Sequence, residues 1–354
     1  MHTFHVLANS AIPTSSSNQF DAHTTFIIRF CEVFVSKGHT VHFYGVDYGK
    51  YHVQHTHYHT ITKARSHPNF EIISQDSSYI FTSKELNLYL DVRIRLTKIF
   101  IDNVGRELPK YYKHIVIHSF LYLTEGWEVP MINVAYCFGG YSNINSNFIY
   151  CSNWLMQSRE AERKQLGHKG KATYVYPYFD PSEFIFSNQK NTFLYMSRCH
   201  KFKGIHIFLV TGGCSKYNKT TRIIYSGDEV HELPMNAEYL GLVTGDKRRE
   251  LLSTCLALVQ PTTYEEPLGF NVIEVNLSGT PVLAPRSGGF METVQHGTNG
   301  YLYGTEAELE FYLLWTEKLS PEESHEHARK LVDRETFYGK TFEYFDELSA
   351  CACS

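Results

Sequence analysis

Short apolar runs alternate along the chain with longer amphipathic segments, a pattern typical of parallel β-strands joined by helices. The first run, "TFHVLA" at residues 3–8, is followed by a polar loop and by a helix-like segment, "TTFIIRFCEVFVS", at residues 24–36. Gly38 stands where a helix commonly ends, and a strand-like run follows it up to residue 45. Further β-rich runs occupy residues 114–120, 147–152 and 172–178.

The same cycle restarts after a stretch rich in Pro, Asp, Ser and Asn at residues 177–191, which we interpret as an interdomain linker. Strand-like runs separated by helix-length segments then lie at residues 192–197, 221–227, 256–261 and 280–285. The pattern predicts an α/β protein with two Rossmann-like domains, each a doubly wound parallel sheet, facing a cleft. Ligands of such sheets bind at the carboxyl ends of the strands.

Composition narrows the function classes. The chain has 354 residues, of which 43% are hydrophobic, so it can bury the cores of two domains. Its net charge of −4 provides no basic field for nucleic acid or an anionic membrane. The eight cysteines include no CxxC pair, which indicates reduced thiols. We find neither a signal-peptide pattern nor an apolar run of the ~18 residues that a spanning helix needs, and expect a cytoplasmic protein with at most peripheral membrane contact.

The segment "YEEPLGFNVIE", residues 264–274, surrounds a predicted helix N-terminus. A strand at residues 256–261 precedes it, and the helix is predicted over residues 268–278, closed by Gly279. A helix N-terminus offers unpaired N–H groups and the positive end of a dipole, which suit a phosphate. Gly269 would let a ligand approach the backbone closely.

Two glutamates flank this N-terminus, Glu266 just before it and Glu274 about two turns inside the helix. Carboxylates are poor phosphate ligands but good acceptors for sugar hydroxyls. A ligand that has both a diphosphate and hydroxyls is a nucleotide-sugar. Taken alone, however, the segment is explained more simply if Glu266 favours the helix dipole and Glu274 lies in solvent.

A basic loop, "SRCHKFKG" at residues 197–204, follows the first strand of the second half. Arg198 and Lys203 could both reach an anion at the end of that strand. Arginine supplies a bidentate fork and lysine a point charge, a combination that suits a diphosphate. A solvated loop is the ordinary alternative.

The order of these motifs resembles the donor domain of GT-B glycosyltransferases, specifically the large retaining family 4 of the glycosyl transferases group 1. That family has an Arg and, five residues later, Lys-Gly, which Arg198 and Lys203 match, and then a Gly-Asp turn, matched at Gly227. Its "fLG.v" strand is matched by "YLGLV" at residues 239–243. Its Glu-x7-Glu segment is matched by "PTTYEEPLGFNVIEVNLSGTPVLAPRSGGFMETVQHGTNG" at residues 261–300, although Val275-Asn276 replaces the usual small pair.

The resemblance implies metal-independent, retaining transfer of a hexose from a nucleotide-diphosphate sugar to a glycan or lipid-linked acceptor. Arg198 and Lys203 would neutralise the departing diphosphate, while Glu266 would hold the donor sugar and Glu274 the ribose. GDP-mannose and a UDP-hexose are the leading donors, with mannose preferred. The sequence contains no Asp-x-Asp, and we expect no metal and no other cofactor. The remaining expected donor-binding residues are Gly227, Leu268, Gly269, Phe270 and Asn271.

The first half resembles the family more weakly. The run "IVIHS" places His118 where the family has a histidine that faces the donor sugar at a strand end, so His118 joins the expected catalytic residues. The loop at residues 9–21, which would help to bind the acceptor, lacks the family's Gly-Gly pair. We expect an acceptor-side domain at residues 1–187, a nucleotide-sugar donor domain at 188–333, and a helix within 334–354 that crosses back to the first domain.

Three alternatives remain to be weighed. A GT-B nucleotide-sugar epimerase would need additional acid–base carboxylates in the first half, where we find no such cluster. A catalytically inactive sugar-nucleotide-binding protein would have no reason to keep Arg198, Lys203, Glu266 and Glu274 together. A dehydrogenase is disfavoured because no GxGxxG follows the first strand.

The histidines of "HVQHTHYH" at residues 52–59 are interpreted as an exposed hairpin, not as a zinc site.

Overall fold

The structure is a computed structural model that describes residues 2–7, 22–44, 57–58, 114–118, 131–135, 147–197, 199, 201–212, 221–224, 237–241, 243 and 245–351. These residues form two compact units. One contains the described residues up to Tyr178 and those from Arg334 onward, and the other contains those from Phe179 to Asp333. The units therefore divide earlier than the expected boundary after residue 187. Phe179, the first described residue of the second unit after this division, is buried, and its ring centroid lies 5.8 Å from that of Phe270 in the same unit.

The described part of the first unit contains a seven-stranded sheet in the order β3-β2-β1-β4-β5-β6-β7, in which every pairing is parallel. The strands are β1 (Thr3–Leu7), β2 (Thr40–Tyr44), β3 (His57–Tyr58), β4 (His114–His118), β5 (Met131–Ala135), β6 (Asn147–Tyr150) and β7 (Ala172–Tyr174). The sequence did not predict β5, because Asn133 interrupts its apolar run. His57–Tyr58 pairs in parallel with β2, and the rest of the predicted histidine-rich hairpin lies outside the described residues.

The described residues form nine α-helices, three of them in the first unit. In chain order they are α1 (Ala22–Ser36), α2 (Asn153–Gln165), α3 (Ile205–Gly212), α4 (Gly245–Thr254), α5 (Phe270–Leu277), α6 (Phe290–Thr293), α7 (Glu306–Trp315), α8 (Pro321–Leu331) and α9 (Arg334–Cys351). None of these helices is both long enough and apolar enough to cross a bilayer.

Helix α1 buries an aromatic stripe against the first sheet. Phe30 and Phe34 stack at 4.4 Å between ring centroids, and Phe4 of β1 meets Phe34 edge-on at 5.0 Å. Phe345 of α9 joins the same core, so α9 packs against β1 and α1 within the first unit. Gly38, with φ of 84°, ends α1 in the left-handed conformation that favours glycine, as the sequence predicted.

The described part of the second unit contains a six-stranded sheet, again parallel in every pairing, in the order β10-β9-β8-β11-β12-β13. The strands are β8 (Thr192–Met196), β9 (Thr221–Ile224), β10 (Ala237–Tyr239), β11 (Cys255–Val259), β12 (Val282–Pro285) and β13 (Gly300–Tyr303). The strand expected at residues 239–243 is wrong in position, because β10 ends at Tyr239. The strand order reverses between β8 and β11, so the loops that follow these two strands meet at one edge of the sheet.

Candidate functional site

The loops that follow β8 and β11 are bonded directly to each other. The backbone N–H of Thr263 donates to the carbonyl oxygen of Phe202 at 2.9 Å. Gly204 has a φ of 76°, and a Cβ added there would overlap the carbonyl oxygen of Pro261. Only glycine therefore allows the turn at Lys201–Lys203 to lie so close to the β11 loop. The result is that Lys203 is held beside residues 264–266.

Lys203, Tyr264 and Glu266 form a hydrogen-bonded cluster. The Nζ of Lys203 lies 3.1 Å from Oε2 of Glu266, and the Tyr264 hydroxyl bonds to both groups. The side chains of Lys203 and Glu266 are only 15% and 20% exposed. An ammonium has three N–H donors, and among the described residues two of those of Lys203 have protein acceptors. Within the described ranges, neither the third N–H of Lys203 nor Oε1 of Glu266 has a hydrogen-bond partner, so both can bond to a ligand.

Two glycines fix the backbone beneath Glu266. The N–H of Gly289 donates to the carbonyl oxygen of Glu266 at 2.6 Å. Gly288 has a φ of 60°, and a Cβ added there would lie 2.7 Å from the same oxygen. A Cβ at Gly289 would overlap the carbonyl oxygen of Pro267. The sequence analysis predicts no role for these glycines, although the Gly-Gly pair in "RSGGF" is a local signal of such a close backbone contact.

The helix that follows Glu266 begins later than predicted. Leu268 is buried ahead of it, and α5 starts at Phe270 with Gly269 as its N-cap at φ of 87°. A residue in this left-handed conformation cannot belong to an α-helix, which is why the predicted start at residue 268 is wrong. The Asn271 side chain donates to the carbonyl oxygen of Met196 at 3.1 Å, which ties the start of α5 to the end of β8.

Glu274 is not solvated but takes part in a buried ion pair. Its Oε2 lies 2.6 Å from Nη2 of Arg248 in α4, and the two side chains are 14% and 8% exposed. The simpler explanation of this segment, with Glu274 in solvent, is therefore wrong. Sequence reasoning did not select Arg248, because it stands in the charged run "GDKRRE", where nothing distinguishes it from its neighbours.

Asn276, where the sequence departs from the family pattern, is buried at the end of α5. Its Nδ2 donates to the carbonyl oxygens of Thr280 at 2.8 Å and Asn299 at 3.1 Å, and its Oδ1 accepts from Nδ2 of Asn299 at 2.8 Å. A buried amide is tolerated when its donors and acceptors are paired. The polar substitution therefore joins α5 to the loop before β13 without leaving an unpaired group on the Asn276 side chain.

The other predicted site residues are placed as follows. His118 is the last residue of β4, at the carboxyl end of a strand in the first unit. Arg198, Gly227 and the loop at residues 9–21 lie outside the described residues. Within the residues that the structure describes, no three or more His, Cys, Asp or Glu side chains are grouped so as to hold a metal ion.

The sequence of the second unit matches a known protein family. Residues 180–330 match the family model described as glycosyl transferases group 1. This match covers less than half of the chain. An uncharacterized glycosyltransferase of Methanocaldococcus jannaschii is 39% identical over 62 residues, which make up 18% of this chain and 16% of that protein. The group 1 domain that the sequence predicted is confirmed.

Solved structures extend the fold to both units. Sucrose-phosphate synthase from Thermosynechococcus elongatus superposes with a TM-score of 0.73 and 14% identity, covering 99% of this chain and 100% of that one. HepE of Anabaena, solved in complex with UDP and glucose, superposes with a TM-score of 0.62 and 16% identity, covering 98% and 100%. The chain has the GT-B fold, and this prediction is also confirmed.

Proposed function

We propose that the chain is a retaining, metal-independent hexosyltransferase of family 4, which moves a hexose from a nucleotide-diphosphate sugar to a glycan or lipid-linked acceptor. The observation that carries this proposal is the cluster of Lys203, Tyr264 and Glu266 beside the N-terminus of α5, within a glycosyl transferases group 1 domain. The cluster combines a cation, an anion and a helix N-terminus over a few residues. A diphosphate joined to a sugar needs all three.

Lys203 and the α5 N-terminus suit the diphosphate. The third N–H of Lys203 can donate to a phosphate oxygen, and the first N–H groups of α5 provide the positive end of a helix dipole. As the sugar leaves, negative charge grows on the diphosphate. A cation that is already fixed in place stabilises that charge without reorganisation. Arg198 is proposed to supply a second positive charge to the same group.

Glu266 suits the sugar, because Lys203 and Tyr264 occupy only its Oε2. Its Oε1 can accept a hydrogen bond from a sugar hydroxyl. It can also face the positive charge that develops on the sugar ring during transfer. His118 is proposed to contact the transferring sugar as well.

In the reaction, the acceptor oxygen bonds to the anomeric carbon on the face from which the diphosphate departs. The carbon–oxygen bond to the diphosphate breaks, and a diphosphate oxygen takes the acceptor proton.

Two donors are to be tested first. The HepE complex with UDP and glucose supports UDP-glucose as a candidate. The family resemblance of the sequence favours GDP-mannose. The purified chain is incubated with each donor, with and without EDTA, and released nucleoside diphosphate and the anomeric form of the free or transferred sugar are measured.

We expect release of UDP or GDP that survives EDTA, with retention of configuration, and that Lys203→Ala strongly reduces this release. Strict dependence on added Mg²⁺ or Mn²⁺ would contradict metal independence, and an inverted product would contradict the retaining mechanism. Formation of an epimeric nucleotide-sugar would identify an epimerase. Tight nucleotide binding without any turnover, on a panel of acceptors, would identify an inactive binding protein.

A further inference from the structure

A charged side chain lies on the buried stripe of α4. Arg248 is buried, as are Leu251 and Leu252 one turn further along the helix, and these two leucines pack in the same apolar cluster as Val272 and Val275 of α5. Arginine is almost never buried without a partner. Among the described residues, the acceptor of Arg248 is Oε2 of Glu274, at 2.6 Å.

This contact occupies one oxygen of Glu274, Oε2. Within the part of the chain that the structure describes, Oε1 of Glu274 has no hydrogen-bond donor. The carboxylate lies on α5, the helix whose N-terminus is proposed to face the diphosphate. A carboxylate oxygen on this helix can therefore accept hydrogen bonds from the hydroxyls of the ribose that is attached to the diphosphate.

We propose that Arg248 is a positioning residue that fixes the orientation of Glu274, so that donor binding depends on the ribose hydroxyls. This inference rests on the proposed function, because it requires a nucleotide in the site. Without the guanidinium, the Glu274 side chain can rotate among its staggered conformations. The Glu274 carboxylate would then have to become ordered when the nucleotide binds, and this loss of side-chain freedom lowers the affinity.

A purely structural role makes a different prediction. If Arg248 only helped α4 to pack on α5, its replacement would weaken binding of every nucleotide by the same factor, whether or not the ribose carries hydroxyls. If it positions Glu274, replacement lowers the affinity for a ribonucleotide but scarcely changes the affinity for a nucleotide without ribose hydroxyls. The two roles are separated by the ratio of these affinities and not by their absolute values.

The experiment measures dissociation constants of UDP and GDP and of their 2′,3′-dideoxy counterparts. The proteins are the wild type, Arg248→Met, Arg248→Lys and Arg249→Gln, and thermal unfolding is recorded for each. Arg249 is the control, because it lies on the same helix but is 38% exposed and pairs with Asp246 within α4. Should Arg248→Met not fold, Arg248→Lys carries the test, since it keeps the charge and loses the planar fork.

In the wild type, loss of the ribose hydroxyls is expected to weaken binding of the preferred nucleotide by roughly tenfold to a hundredfold, as for hydrogen bonds to a charged group. In Arg248→Met this ratio should fall to about threefold or less, in Arg248→Lys to an intermediate value, and in Arg249→Gln it should not change. An unchanged ratio in both Arg248 variants would overturn the inference and leave the proposed function standing. A wild type that binds neither UDP nor GDP would overturn both.

Discussion

The Nζ of Lys203 lies 3.1 Å from Oε2 of Glu266, so the side chains proposed to meet the diphosphate and the sugar are bonded to each other. The two groups are contributed by loops after neighbouring strands, β8 and β11, and are 63 residues apart in the chain. Their contact couples the two halves of the proposed donor site. A change to either side chain is therefore expected to alter the position of the other.

Replacing Lys203 by Ala removes the cation from this pair. We expect turnover to fall roughly 10²–10³-fold, which is the usual effect of losing one preorganised donor that stabilises transition-state charge. The fold should persist, because the Tyr264 hydroxyl still bonds to Glu266. Steady-state kinetics and thermal unfolding test this, with Lys201→Ala as the control because Lys201 is exposed in the same turn. Wild-type turnover in Lys203→Ala would place the diphosphate elsewhere.

Replacing Tyr264 by Phe keeps the ring and removes the hydroxyl that joins Lys203 to Glu266. The ring also lies 4.7 Å from Nζ of Lys203, a contact that Phe can keep. Both charged groups lose one partner, so each becomes less fixed. Because a hydrogen bond to a charged group contributes about 1.5–3 kcal/mol, we expect kcat to fall by roughly tenfold to a hundredfold. Equal kinetics for Tyr264→Phe and the wild type would show that Lys203 and Glu266 hold each other without it.

The two glutamates are expected to differ in kind. Glu274 is assigned to the ribose, which does not change during transfer, so Glu274→Gln should raise the donor KM and weaken nucleotide binding with little change in kcat. Glu266 is assigned to the sugar, which gains positive charge in the transition state, so Glu266→Gln should mainly lower kcat. Glu265 is exposed and should tolerate Ala.

Donor kinetics and nucleotide dissociation constants for these three variants decide the assignment. If Glu266→Gln loses nucleotide affinity but keeps its kcat, the order of the acids along the ligand is reversed. If Glu265→Ala is the impaired variant, the spacing of eight residues between the functional acids is wrong. Gln is preferred to Ala at Glu274, because removing the whole side chain would leave the buried Arg248 unpaired at a cost of about 3–5 kcal/mol.

The sequence predicted those features of the fold and site that depend on local pattern. Strands β8 and β11 are continuous apolar runs, and the sequence predicts both close to their observed positions. It does not predict β5, because Asn133 interrupts the apolar run of that strand. The start of α5 predicted at residue 268 is wrong because "PLGF" is locally apolar and helix-like, whereas Gly269 has a left-handed φ and a Cβ added there would meet the Phe290 ring at 2.8 Å. Such a contact between distant residues has no local signal.

The same distinction explains which site residues the sequence revealed. Glu266 and Glu274 follow a fixed spacing, and Lys203 precedes a glycine at a strand end, so they could be selected from the sequence. Arg248 and Tyr264 matter through their partners. Arg248 is 26 residues from Glu274 in the chain, and only the packing of α4 against α5 brings the two together. Nothing in the order of residues around Arg248 separates it from Arg249.

The first unit should lose stability on acidification through His39. This side chain is buried, accepts the His2 backbone N–H at Nδ1 and bonds through Nε2 to the Tyr338 hydroxyl at 3.0 Å. Burial, and then the neighbouring His2, lower the pKa of His39 from 6.5 to about 4. Between these values the unfolded chain binds a proton that the folded chain does not. The stabilising contribution is therefore fully present above about pH 6.5 and is lost as the pH falls toward about 4.

Thermal unfolding of the first unit between pH 7 and pH 4 tests this effect. His39→Asn keeps an acceptor near the position of Nδ1 and cannot be protonated, so it should flatten this part of the pH profile. His206→Asn, a change at an exposed position in the second unit, should leave the profile as it is. A profile that is equally steep in His39→Asn would assign the acid sensitivity to other groups.

The position of Glu266 is expected to depend on Gly288, whose Cα lies against the Glu266 backbone. Gly288 and Gly297 both have left-handed φ angles, of 60° and 83°, so Ala at either position pays a backbone strain of about 1–2 kcal/mol. They differ in their surroundings. A Cβ at Gly288 would lie 2.7 Å from the carbonyl oxygen and 2.8 Å from the nitrogen of Glu266, whereas a Cβ at Gly297 meets nothing within 4 Å.

Comparison of Gly288→Ala with Gly297→Ala separates the effect of the close contact with Glu266 from the effect of backbone strain. Gly297→Ala should lower the melting temperature slightly and leave kcat unchanged. Gly288→Ala should lower the melting temperature further and reduce kcat by at least roughly tenfold, because the Glu266 backbone must move and its carboxylate then leaves Lys203. Donor binding should weaken less than turnover, since Glu274 and the α5 N-terminus are not displaced by this Cβ. If the two variants lose kcat equally, backbone strain alone accounts for the effect, and Gly288 does not position Glu266.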